Sequence, residues 1–155
     1  MKPLFFLIAV ITFYSGTSLL AQDETPLLVL NDNSITIDIL TKGTYKLWEY
    51  TLNTKSITVT KHSTNDRLPL TVYEAVLTDE QSKKVEEFFS SINVDSLKEQ
   101  YSNDQVEGEG SYMFHFRINE TRKKVYVYYE YPEELKKTCD LFNSLLNVKY
   151  WITFK

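Results

Sequence analysis

Tyr112-Met113-Phe114-His115-Phe116-Arg117-Ile118 alternates apolar and polar residues with period two, and Val125-Tyr126-Val127-Tyr128-Tyr129 follows it after a short polar break. Alternation of this kind places one row of side chains in a core and the other in water, so each half reads as a half-buried strand. The break, Asn119-Glu120-Thr121-Arg122, is polar and suited to a turn. A turn centred on Glu120-Thr121 sets Phe116 against Val125, Phe114 against Val127 and Tyr112 against Tyr129. A slip of one residue would throw every apolar side chain onto the opposite face. The chain is therefore expected to fold around a hairpin of 112–118 and 123–131.

Working outward from that hairpin, the N-terminal half reads as a meander. Ile35, Ile37 and Ile39 alternate with Thr36 and Asp38, and Lys42-Gly43 turns the chain into a strand over 45–52. Asn53-Thr54-Lys55 turns it again into Ser56–Thr60, with Leu52 set against Ile57 and Tyr50 against Val59. A further short strand is expected at Leu27–Leu30 and another over 70–77, which Pro69 can open but could not interrupt. Thr78-Asp79-Glu80-Gln81 has the form of a capping box, in which the Thr and Gln side chains satisfy backbone donors at a helix start. Behind it Val85, Phe88, Phe89 and Ile92 make one helical stripe. Asp95 is expected to cap a short helix running to Tyr101, with Val94, Leu97 and Tyr101 turned inward. Past the hairpin, Pro132 and Glu133-Glu134 suit a helix start, and Leu135, Cys139, Phe142 and Leu146 form its buried stripe. Tyr150, Ile152 and Phe154 suggest a closing strand. The expected fold class is α+β: one antiparallel sheet of five to seven strands with two main helices, about 79–92 and 132–147, on one face.

The first 21 residues read as an address. Met1-Lys2 is a short positive start, Leu4–Tyr14 is uncharged and apolar, and Ser15-Gly16-Thr17-Ser18-Leu19-Leu20-Ala21 leads to a cleavage point before Gln22. The ending Leu19-Leu20-Ala21-Gln22 resembles signal peptides of secreted proteins from Bacteroidota-type Gram-negative bacteria. That resemblance implies export to the periplasm or beyond and nothing about activity. An uncleaved anchor is the competing reading, since about 20 apolar residues span a bilayer, but Ser, Thr, Gly and Gln dilute this run. No cysteine follows it to carry a lipid. The expected organisation is a signal peptide over 1–21, a flexible leader over 22–26 and one domain over 27–155, with no further membrane span.

Loss of Lys2 with the signal takes the net charge from −4 to −5. A mildly acidic domain argues against nucleic acid, whose phosphates need a positive face. The only cysteine, Cys139, has no partner for an internal disulfide, so stability must come from the core. It sits on a helical stripe, where a free cysteine packs as a small hydrophobe.

Few residues have the look of catalysis. The two histidines are His62, in a loop, and His115, mid-strand; no nucleophile elbow, zinc-protease helix or phosphate loop is present. Asp104, Glu107 and Glu109 lack calcium-loop spacing, so neither a metal nor a cofactor is expected. Asn119-Glu120-Thr121 matches a glycosylation acceptor and Asp95-Ser96-Leu97 resembles a second type, but turn and cap roles explain both. The hairpin's other face is the strongest candidate site. It carries Met113, His115, Arg117, Lys124, Tyr126 and Tyr128, aromatic and basic residues of the kind enriched in interfaces, and the register above sets Arg117 opposite Lys124.

Three function classes follow. A non-enzymatic binding or protein-interaction module outside the cytoplasm, of inhibitor, immunity or envelope-accessory type, fits best. It is expected to be a monomer acting on a protein or envelope component, and it looks like small exported α+β domains of unknown function. The alternative is a carrier holding a small apolar ligand where Phe88, Phe89, Phe114, Phe116 and Phe142 converge. An enzyme ranks third; clustering of His115 with a carboxylate such as Asp38 would favour it.

Overall fold

The computed structural model describes residues 33–41, 45–63, 68–103, 105 and 110–153. The export signal, the leader, the expected strand at 27–30 and the acidic positions Asp104, Glu107 and Glu109 lie outside these residues. In chain order the elements are β1 (Ser34–Thr41), β2 (Lys46–Asn53), β3 (Ser56–Lys61), β4 (Leu70–Val76), α1 (Asp79–Ser91), β5 (Gln100–Ser102), β6 (Gly110–Ile118), β7 (Thr121–Tyr128) and α2 (Glu133–Leu145). Single 3-10 turns occupy Val94–Ser96 and Val148–Tyr150. The class is α+β, with one seven-stranded sheet in the order β4-β3-β2-β1-β6-β7-β5.

The sheet forms because its strands share one apolar face. Ile35 and Ile37, Tyr50 and Leu52, Ile57 and Val59, Phe114 and Phe116, and Val125 and Val127 are all buried in one core. Each pair is spaced by two, as the pleat requires. The helices bury their stripes in the same core: Val85 and Phe89 from α1, and Leu135, Cys139, Phe142 and three neighbours from α2. The capping box forms at α1, where Thr78 Oγ1 accepts from Gln81 N and Gln81 Oε1 accepts from Thr78 N. Cys139 is enclosed; burial, then the charge of Asp140, pushes its thiol far above the ordinary value.

The meander has the expected register, with Leu52 opposite Ile57 and Tyr50 opposite Val59. The central hairpin differs by two residues. Phe116 faces Lys123, Phe114 faces Val125 and Tyr112 faces Val127. Asn119 and Glu120 alone make the turn, and Asn119 takes a φ of 53°, a conformation asparagine tolerates. A shift of two leaves every side chain on its expected face, which is why alternation alone did not distinguish the registers.

Three other expectations are corrected. The sheet is mixed: β5 pairs parallel with β7, Tyr101 beside Val127, so Tyr101 belongs to a strand and not to a helix. Asn93, not Asp95, caps the turn before it, accepting from Ser96 N. Val94, Leu97 and Tyr101 do point inward. No closing strand forms among the described residues after α2; Ile152 instead is held between the two ends of the Asn143 amide. No helix among the described residues is long and apolar enough to cross a membrane.

Candidate functional site

The six residues singled out on the hairpin share the face away from the helices, because each alternates with a core residue. Met113, His115, Tyr126 and Tyr128 are partly exposed, and Arg117 and Lys124 are exposed. The observed register arranges them in cross-strand rows that run on into β1. Ser34, Arg117 and Arg122 form one row, Thr36, His115 and Lys124 the next, and Asp38, Met113 and Tyr126 the third. The like-charge pair is thus Arg117 with Arg122, and Lys124 faces His115. Tyr128 ends this face, its ring edge-to-face with Tyr129 at 4.6 Å.

The first two rows border a depression of about 410 Å³ lined by Ser34, Thr36, His115, Phe116, Arg117, Arg122, Lys123 and Lys124. Arg122 donates to the backbone carbonyls of Asn119 and Thr121, and Lys123 to that of Asp95. No carboxylate lines this hollow among the described residues. Two hydroxyls and several cations around one concavity make an anion-compatible surface.

Beside it lies a charge network of which sequence reasoning named only the His115–Asp38 pair. Asp38 is only 3% exposed. His115 Nε2 meets its Oδ2 at 3.0 Å, and Lys46 Nζ lies 3.0 Å from its Oδ1. Lys46 also donates to Glu49 Oε2 at 2.7 Å, and His62 Nε2 stands 3.7 Å from the same oxygen. Burial pushes the Asp38 carboxyl up, but hydrogen bonds and charge from His115 and Lys46 outweigh it and hold the pKa below the ordinary 3.8. For Lys46 burial pushes down, and its bonds to Glu49 and Asp38 win, leaving it above 10.5. Alternation in β1 placed Asp38 on this face; the missing signal was that β1 lies between β2 and β6, a long-range fact with no local mark.

The His115–Asp38 contact meets the condition set for an enzyme as far as a base and its orienting carboxylate go. No hydroxyl or thiol of a described residue hydrogen-bonds to the His115 ring, so a nucleophile is not joined to the pair. Of the five phenylalanines proposed to enclose a ligand, four pack within the core, and Phe88 is partly buried and lines a depression between α1 and α2. Phe114, Phe116, Phe89 and Phe142 are between 0% and 3% exposed, with the first two stacked at 6.2 Å. Comparison of the sequence with protein-family models and with curated proteins finds no match.

Proposed function

We propose that this chain is an exported, non-enzymatic binding module whose working surface is the helix-free face of β6 and β7. Tyr126 and Tyr128 serve as amphipathic anchors beside Met113, and Arg117, Arg122 and Lys124 receive an acidic segment of a partner protein. The observation that carries the reading is the basic hollow: Arg117, Arg122 and Lys124 gather around one concavity whose charge complements a carboxylate. Ser34 and Thr36 supply hydroxyls at the same place. The Asp38 network supports the reading too, since it locks β1 to β6 and keeps the floor of the surface rigid before binding.

Export is part of the proposal, and N-terminal sequencing of the exported protein is expected to begin at Gln22; an intact Met1 would contradict it. The surface itself is tested by a photo-crosslinking amino acid at Tyr126 and, separately, at Lys83 on the exposed side of α1. The expected result is a crosslink from position 126 to an Asp/Glu-rich peptide and none from position 83. Crosslinks confined to position 83 would move the working surface to the helices.

A second reading, a hydrolytic site with His115 as base, is favoured by the 3.0 Å contact with Asp38. It ranks lower because Lys46 shares the carboxylate and no nucleophile among the described residues joins the pair. Turnover of a substrate by the parent protein, lost in His115→Ala, would raise it to first place.

A further inference from the structure

A separate cleft of about 450 Å³ opens at one end of the sheet, walled by β2, β6, the segment after β7 and the segment after α2. Six aromatic side chains line it: Trp48, Tyr50, Tyr112, Tyr129, Tyr131 and Trp151. They include both tryptophans of the chain. Ile39, Leu47, Gly110 and Thr153 complete the described lining, which carries no charged side chain although 25% of the chain is charged.

The walls are fixed in place. Tyr112 Oη donates to the Thr153 carbonyl at 2.7 Å, tying the C-terminal segment to β6. The Tyr112 and Tyr131 rings meet edge-to-face at 5.8 Å. The Asn143 amide grips Ile152 through both its ends, which sets Trp151 and Thr153 on either side. Tyr129 takes a φ of 59°, a left-handed conformation rare for an aromatic residue, and strain of that kind gathers at ligand sites. Trp151 stays 50% exposed, at the rim.

The lining narrows the occupant. Among the described lining residues an anion finds no cation, and a cation finds no carboxylate to offset its loss of water. A purely apolar ligand would leave the hydroxyls of Tyr50 and Thr153 facing hydrocarbon. Burial raises the phenol pKa of Tyr50, Tyr112 and Tyr131, so they stay neutral hydroxyls at physiological pH. What fits is an uncharged molecule with an apolar face and a hydroxylated rim, and a volume of this size suits one or two rings. We propose that this cleft binds a neutral carbohydrate, the C–H face of a sugar ring resting on indole and the ring hydroxyls meeting phenol and Thr153 oxygens. Tyr50 and Tyr112 belong to the helix-facing side of the sheet, so the site is independent of the basic hollow, and either can fail without the other.

Because both tryptophans line the cleft, intrinsic fluorescence reads it directly. The mature protein is titrated with maltose, cellobiose and di-N-acetylchitobiose, and with choline as the cationic comparison. The expected result is a saturable change with at least one disaccharide and none with choline. Trp151→Ala should weaken that binding about tenfold or more. Tyr129→Gly, which removes a wall at a position where glycine is at ease, should weaken it too while near-ultraviolet circular dichroism shows the fold retained. The absence of a saturable response to all three sugars, a response to choline alone, or parent-like sugar binding by the folded Tyr129→Gly protein would overturn the proposal.

Discussion

Phe116 and Arg117 are neighbours in sequence with opposite fates, because a strand sends successive side chains to opposite faces. Phe116 is 2% exposed in the core and Arg117 is exposed on the free face. Phe116→Ala is expected to cost about 3–5 kcal/mol through the cavity it leaves, and Arg117→Ala less than about 0.5 kcal/mol, as surface changes do. Equal losses in chemical denaturation would mean the faces are inverted. Asp38 gives a second residue-level test. Its folded pKa lies below its unfolded value, so its contribution to stability is present above about pH 4 and fades as pH falls through the folded value. The stability gap between the parent and Asp38→Asn should therefore be wide at pH 7 and shrink on acidification; a gap independent of pH would contradict the network. Which residues face inward and which outward was legible from alternation alone, with His115 and Tyr126 on the outward side as expected. That Lys46 reaches Asp38 was not, because the two come together through strand pairing 8 residues apart in sequence and a neighbouring β6 more than 70 residues on.

At the scale of elements, the hairpin shows where pattern reading stops. Period two fixes faces but is blind to a slip of two, and the choice between the registers fell to the turn. Asn119 and Glu120 close it as a two-residue loop, and Asn119 N donates to Asn33 Oδ1 at 2.6 Å, anchoring the turn to the start of β1. The positive φ at Asn119 suits asparagine or glycine and penalises a β-branched residue. Asn119→Val is expected to destabilise by about 1–2 kcal/mol, and Asn119→Gly to be tolerated, in thermal unfolding. Equal midpoints for the two variants would favour the longer turn. The parallel strand β5 escaped sequence reading for a different reason. Three residues carry no usable periodicity, and Val94, Leu97 and Tyr101, all inward, fit a helix as well as the turn and strand they form. Longer elements left clearer marks: the capping box of α1 and the stripes of both helices stand where the residue types put them.

At the scale of the molecule, layering decides what is available for function. Both helices and their buried stripes draw on one face of the sheet, and the other is left with hydroxyls, the Asp38 network, the tyrosines and the basic hollow. A chain of net charge −4 that gathers Arg117, Arg122 and Lys124 in one place has a polarity a partner can read. The central claim is that this face is the working surface, and it is tested most directly by the affinity of Tyr126→Ala/Tyr128→Ala for the partner crosslinked at position 126. The account predicts that the double variant keeps the parent's unfolding midpoint within a few degrees and loses about 2 kcal/mol of binding, roughly 30-fold in Kd. A variant that folds and binds as tightly as the parent would contradict it.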